Sequence, residues 1–346
     1  MELEELLAAI TPADQSAMEG CRKNWDAIAK PLNGLGHLEE MLVRVAGATG
    51  KTDLSLGAKA VAIFCADNGV VAQGVTQTGQ EVTLAVAKAL GEGCSSVCHM
   101  ARVAGAKVVP VDVGILAHAP VPGVRDLSVR PGTADMTKGP AMSREEAQTA
   151  LMAGAQIAME LDDQDIALLA GEMGIGNTTT TAAVTSVLLD LPPSVTAGRG
   201  AGLSDAGLVH KVTVIQRALV QNQPNRKDPL DVLSKVGGLD IAAMTGFYLG
   251  AAARNRPVLL DGAISCAAAL LAVRLCPNAH AGQPPSCGAL RAASAPGIGA
   301  GAGSGCWAPP GRGHRRSGGH AAAGHGPVCV SEYVHLRPYG DRGLSA

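Results

Sequence analysis

The sequence predicts an α/β fold: a Rossmann-like parallel sheet flanked by helices, with a smaller helical domain built from the N-terminal segment. Three observations predict it. From residue 58 onward, short apolar runs alternate with stretches of helical periodicity. The apolar runs are continuous rather than alternating with polar residues, as in strands buried on both faces. Four of them end on or beside an acid, Asp67, Asp112, Glu172 and Asp261, and open α/β sheets bind ligands beyond the carboxyl ends of their strands. Any one such acid is accounted for by capping a turn; four together point to a shared crevice.

Near the N-terminus, Leu3, Leu6, Leu7 and Ile10 recur at helical spacing. "TPAD" then predicts a helix with Thr11 as its cap, Pro12 in the first position and Asp14 reaching back. That helix should end near "KPLNGLG", because the position before Pro31 disfavours helix. The strands are expected at "KAVAIFCAD", "AKVVPVDVG", "DIALLAGE" and "RPVLLDG". Helices are expected at "EVTLAVAKAL", "SREEAQTALMAGAQIAMEL", "SDAGLVHKVTVIQRALV" and "GLDIAAMTGFYLGAAAR". These divide the chain into a helical part over 1–57, a catalytic domain over 58–279 and a tail over 280–346.

Composition narrows the function. Hydrophobic residues make up 47% and charged residues 17% of 346 residues, the balance of a globular enzyme. A net charge of -2 offers no basic field to nucleic acid, and 2% aromatics provide no stacking platform for bases. The start, "MELEELLAAI", lacks the basic region of a signal peptide, and the run "AISCAAALLAV" is too short for a bilayer, which needs about 20 residues. The nine cysteines show neither zinc-like nor disulfide spacing; Cys94 and Cys98 read as one helical face. A cytoplasmic protein is expected, with no membrane and no nucleic acid partner.

Two glycine clusters carry the chemistry. In "LLAGEMGIGNTTTTAAV" a strand passes through Gly174, Ile175 and Gly176 before Asn177 and Thr178 open a helix. Amides at such a turn hold phosphates and carboxylates, and hydroxyls add donors. A tight glycine turn capped by Asn or Thr explains the same residues, and both readings stay open. "AGRGAGLSDAGLVHK" adds Gly198, Gly200 and Gly202 before a helix capped by Ser204 or Asp205, with Lys211 two turns in. Lys211 is either a solvated helix lysine or a phosphate counter-charge. Neither cluster is a Walker loop or a G-x-G-x-x-G fingerprint, which disfavours a dinucleotide-dependent oxidoreductase.

Eight segments, "KPLNGLGHLEEMLVRVAGATG", "IFCADNGVVAQGVTQTGQEVT", "AGAKVVPVDVG", "RPGTADMTKGPAMSREEA", "GEMGIGNTTTTAAV", "GRGAGLSDAGLVHK", "VGGLDIAAMTGFYLGAA" and "RPVLLDGAISCAAALLA", follow one another in the order of a known family. Over about residues 30–278 the chain resembles the nicotinate-nucleotide:dimethylbenzimidazole phosphoribosyltransferases of cobalamin assembly. The resemblance implies transfer of phosphoribose from nicotinate mononucleotide to 5,6-dimethylbenzimidazole, giving α-ribazole 5′-phosphate and nicotinate. It implies a homodimer, no metal and no cofactor, and a small domain completed by the C-terminal segment. Under it, Gly174, Ile175, Gly176, Asn177, Thr178 and Lys211 hold the phosphate and nucleotide. Asp67, Thr76, Gln80 and Met173 receive the base, while Glu172, Asp240 and Asp261 order the ribose and neutralise developing positive charge.

Three departures stand out. Asn68 occupies a position where the family usually has histidine, and Thr78-Gly79 replaces a bulkier pair before Gln80. The family's general-base glutamate, in a late Leu-Gly-Glu-Gly-Thr-Gly motif, is missing. Between residues 281 and 330 stand 13 glycines, 11 alanines and 6 prolines with no acid, a composition unable to fold alone. Codons permitted for "PGRGHRR", read one base over, spell Leu-Gly-Glu-Gly-Thr-Gly, and "SEYVHL" treated alike contains Met-Ser-Thr. The tail therefore reads as the family's C-terminal region in a shifted frame, with Arg312 where the glutamate codon is split. A cation there accepts no proton, so the alternative is a homologue that binds nucleotide and base but turns over poorly.

Overall fold

The computed structural model describes residues 1–276 apart from 56, 118 and 162–164; the tail and its Arg312 lie outside the described residues. Five parallel strands, β1 (Ala58–Ala66), β2 (Ala106–Gly114), β3 (Arg125–Asp126), β4 (Asp165–Met173) and β5 (Val258–Leu259), form one sheet in the order β3-β2-β1-β4-β5. All four expected strands are present; the last is only two residues long, and Asp261 lies beyond it.

The continuous apolar character of β1 follows from its place at the centre. Ala60, Ala62, Phe64 and Ala66 join the main core, whereas Val61, Ile63 and Cys65 face a second cluster with Ala87, Leu90 and Cys98. That second layer is built by α4 (Glu81–Gly91) and α5 (Ser96–Ala104). The opposite layer contains α6 (Arg144–Glu160), α7 (Asn177–Leu189), α11 (Leu239–Ala253) and α12 (Ala263–Leu275). Between α7 and α11 run α8 (Pro193–Thr196), α9 (Asp205–Asn222) and α10 (Pro229–Val236).

The N-terminal segment divides by its packing. In α1 (Leu3–Ala8) and just after it, Leu3, Leu6 and Ile10 join the main core. α2 (Gln15–Asp26) and α3 (His37–Thr49) pair around a core of their own, Cys21, Val43 and Ala46 with Trp25 alongside. The cap of α2 differs from expectation: Asp14 is the N-cap and accepts from Ala17 N–H at 3.0 Å, which places Thr11 and Pro12 ahead of the helix. Cys94 and Cys98 do not share a helical face either. Ser95 caps α5, leaving Cys94 exposed before the helix and Cys98 buried within it.

α11 is buried along Leu239–Ala252 because glycines let it touch α6 backbone to backbone. A Cβ on Gly246 would stand 1.7 Å from Leu151 O, and one on Gly154 1.7 Å from Ala243 O. Alanine is favoured over glycine inside a helix by about 1 kcal/mol, but overpacking costs typically 1–3 kcal/mol and here the obstacle is backbone. Gly246→Ala should therefore lower the urea midpoint, by about 1–3 kcal/mol of unfolding free energy.

Candidate active site

From β1 the chain steps outward to β2 and β3 on one side and to β4 and β5 on the other, so the topological switch point lies between β1 and β4. Their carboxyl ends deliver Asp67 and Asn68, and Glu172 and Met173. After Met173 the chain turns sharply through Gly174–Gly176 into α7. Gly174 has no room for a side chain, since a Cβ would meet Asp240 Oδ2 at 2.5 Å and Ala66 O at 2.6 Å. Gly176, with φ +96°, is the N-cap of α7 and supplies no side-chain bond.

Asn177 does not cap that helix. Its Nδ2 donates to Glu172 Oε2 and to Asp240 Oδ2, the latter at 3.0 Å, so one amide holds two carboxylates. Asp240, in the first turn of α11, is fully buried, and Ile241 N–H donates to its Oδ1 at 3.0 Å. Burial, reinforced by Asp240, pushes Glu172 up to about 7, against the pull of Asn177. Burial likewise raises Asp240 to about 6, with Asn177 and Ile241 opposing. Asp261, exposed before α12, adds its charge to Glu172, and Asp67 adds its own to Asp240. Glu172 and Asp240 thus stand together, with Asp261 within electrostatic reach of the first and Asp67 of the second. Asp112 takes the plainer role: its Oδ1 accepts from Gly114 and Ile115 N–H, each at 2.8 Å, and pins the turn after β2.

Lys211 is no solvated lysine. It is fully buried on α9, with Nζ 2.8 Å from Thr178 Oγ1 and 3.2 Å from Gly198 O, and burial lowers it to about 8. One ammonium thereby joins the two glycine clusters. The expectation that Gly174, Ile175 and Gly176 present a row of amides to a phosphate needs correction at Gly174 and Ile175. Ile175 N–H donates to Thr83 Oγ1 at 3.3 Å and that of Gly174 serves Glu172. Asn177 N–H returns to Gly174 O at 3.1 Å. The cation that reaches this turn is Lys211 of α9, through Thr178.

On the other side of the turn, residues 67–80 form a loop around a short 3-10 helix, Gly69–Gln73. Thr76 Oγ1 donates to Thr78 O at 2.8 Å, and Gln80 Nε2 to Asn68 O at 3.3 Å, so both expected base anchors also shape their own loop. Asp67 Oδ2 accepts from Leu116 N–H at 2.8 Å; burial raises its pKa, with Leu116 and the Thr83 hydroxyl opposing. Asn68 is fully buried and donates to Ile175 O at 3.4 Å, tying the ends of β1 and β4 together. Met173 is half-buried against the α4 layer. Thr83 was not legible in the sequence, since its place in the first turn of α4 gave no sign of contact with the glycine turn.

A parallel sheet with acids gathered at its switch point and a buried lysine beside them is the architecture of an α/β enzyme. A family model described as phosphoribosyltransferase matches residues 10–284, and the chain belongs to that family. A relative from Ruminiclostridium cellulolyticum, named nicotinate-nucleotide–dimethylbenzimidazole phosphoribosyltransferase, is 43% identical over 279 residues, 80% of this chain and 79% of its own. One of the same name from Chloroflexus aggregans is 44% identical over 279 residues, again 80% of this chain and 79% of its own. A crystal structure of the so-named enzyme from Thermus thermophilus superposes with a TM-score of 0.72 at 39% identity, covering 77% of this chain and 80% of that one.

The raised carboxyl groups make stability depend on pH. Glu172 holds its proton in the folded state to about 7, against an ordinary 4.5. Its contribution is thus fully present below pH 4.5 and is lost as pH rises through about 7. Glu172→Gln should flatten the fall in unfolding free energy between about pH 5 and pH 8, measured by urea titration at each pH. A slope as steep as that of the unsubstituted protein would remove Glu172 as its source.

Proposed function

We propose that this chain transfers phosphoribose from nicotinate mononucleotide to 5,6-dimethylbenzimidazole. The observation that carries the proposal is the Glu172–Asn177–Asp240 cluster standing beside the Thr178–Lys211 pair at the switch point. Lys211 and the Thr178 hydroxyl bind the 5′-phosphate, and the carboxylates face the ribose. A benzimidazole nitrogen forms its bond to the anomeric carbon as the bond to nicotinate breaks. The departing electron pair neutralises the pyridinium nitrogen, so the leaving group needs no acid. Positive charge on the ribose grows in between, where Glu172, Asp240 and Asp261 stabilise it.

Attack by the unprotonated nitrogen leaves a benzimidazolium, and the proton on its other ring nitrogen must still leave. A pKa of about 7 suits Glu172 to accept it within the described residues, while the family's dedicated glutamate is absent from the chain as written. The binding-only reading rests on that absence. The family match stops at residue 284, close to where the composition changes, which supports the shifted-frame reading of the tail.

We also read the protein as a cytoplasmic homodimer. Five of the six described cysteines are buried as core residues and Cys94 is exposed, in keeping with a reducing compartment. Among the described residues no helix is long and apolar enough to cross a membrane. Ile28, Leu32, Leu35 and Leu38 are exposed together around the start of α3, as at a covered surface.

Two kinetic outcomes are expected. Lys211→Ala should raise the KM for nicotinate mononucleotide about 10- to 100-fold, the loss of a charged hydrogen bond, with the KM for the base unchanged. An unaltered nucleotide KM would take Lys211 out of the phosphate site. Restoring the tail's frame should raise kcat about 10²- to 10⁴-fold, the usual reach of a general base; equal rates would show that Glu172 suffices.

A further inference from the structure

The loop over residues 67–80 is fastened at three levels, and two of the fastenings run to the same unit. At its root, Gly69 N–H donates to Thr133 Oγ1 and Thr133 N–H to Asp67 O, both at 3.0 Å. Midway, Gln73 is held from three sides. His210 Nε2 lies 2.7 Å from its backbone oxygen, the Arg217 guanidinium donates to its Oε1, and its own Nε2 donates to Asp135 Oδ2 at 2.5 Å. At the tip, Gln77 Nε2 donates to Gly202 O at 2.6 Å.

His210 and Arg217 belong to α9, and Gly202 lies in the segment leading into it. The same helix carries Lys211 next to His210, and the same leading segment supplies Gly198 O to the lysine. Gly202 has φ +114°, which an L side chain rarely adopts, so the direction of the carbonyl that Gln77 meets depends on glycine. One unit therefore grips the anion side with Lys211 and the base loop with His210, Arg217 and Gly202. These ties leave the carboxylates untouched, so they are not needed to build the reacting centre.

We infer that Gln73 and Gln77 are positioning residues that couple the two substrate sites: an anion at Lys211 steadies α9 and its leading segment, and through the two glutamines the loop that receives the base. The inference rests on the substrates proposed above. Once the first ligand has ordered the shared unit, the second binds without that cost. Such coupling is reciprocal, so each ligand must tighten the other by the same factor.

The test uses the full chain, with ribose 5-phosphate as an anion lacking a leaving group and 5,6-dimethylbenzimidazole as the base, titrated calorimetrically. Saturating ribose 5-phosphate should lower the Kd of the base roughly fivefold or more, and the base should tighten ribose 5-phosphate equally. In Gln73→Ala and Gln77→Ala the factor should fall toward one while ribose 5-phosphate alone binds as before. Gln77 is exposed and its side chain meets the rest of the protein through the bond to Gly202 O, so Gln77→Ala decides the matter should Gln73→Ala fail to fold. A factor of one in the unsubstituted protein, or an undiminished factor in Gln77→Ala, overturns the inference alone. No binding of the base under any condition overturns the proposed substrates and the inference with them.

Discussion

The contact of α11 with α6 is the constraint on which the rest depends. Gly154, Gly246 and Gly250 remove the side chains that would hold the two helix backbones apart, and α11 then lies buried along nearly its whole length. That depth sets the position of its first turn, where Asp240 meets Gly174 and Asn177. A wider spacing of the two helices would draw Asp240 away from Glu172 and open the turn that leads into α7. Packing one to three turns along α11 thus governs the charge arrangement at the sheet's carboxyl edge.

Two like charges buried beside each other are costly, and the site manages the cost in two ways. Raised pKa values allow a proton to remain on the pair near neutrality, and the Asn177 amide offers both carboxylates a common donor. Lys211 shows the complementary tuning: burial favours its neutral form, with Thr178 and Gly198 O as its partners. A phosphate beside it would favour the charged form that burial disfavours. Under the proposed function, that pairing suits a substrate with an anion at one end and a developing cation near the other.

Much of this was legible in the sequence, and the reasons differ by element. The four strands were legible because a central parallel strand needs apolar residues on both faces, and uniform runs such as that around Phe64 meet no other requirement. Glu172 stood out as an acid at a strand end, whereas Asp240 was legible only through the family resemblance. Asn177 was legible as important but not in its role, since capping and bridging call for the same residue. The amides of Gly174 and Ile175 were misjudged because their acceptors, Glu172 and Thr83, are set by tertiary packing. The glycines of α6 and α11 carried no local signal, helix interiors disfavouring glycine wherever it occurs. Gln73 and Gln77 carried none either, because an exposed polar residue in a loop reads as solvated until its partners are known.

The strand order has a consequence for synthesis of the chain. β1 is central, yet one of its two neighbours, β4, pairs Phe64 with Glu172, more than a hundred residues later. Contacts so distant in sequence form slowly. While the ribosome has yet to deliver β4, one edge of β1 is unpaired, and until α11 follows, Phe64 lacks its edge-on partner Phe247, whose ring centroid lies 5.8 Å away. The nascent chain must therefore carry an apolar half-sheet until β4 follows, a state in which chaperone binding competes with self-association.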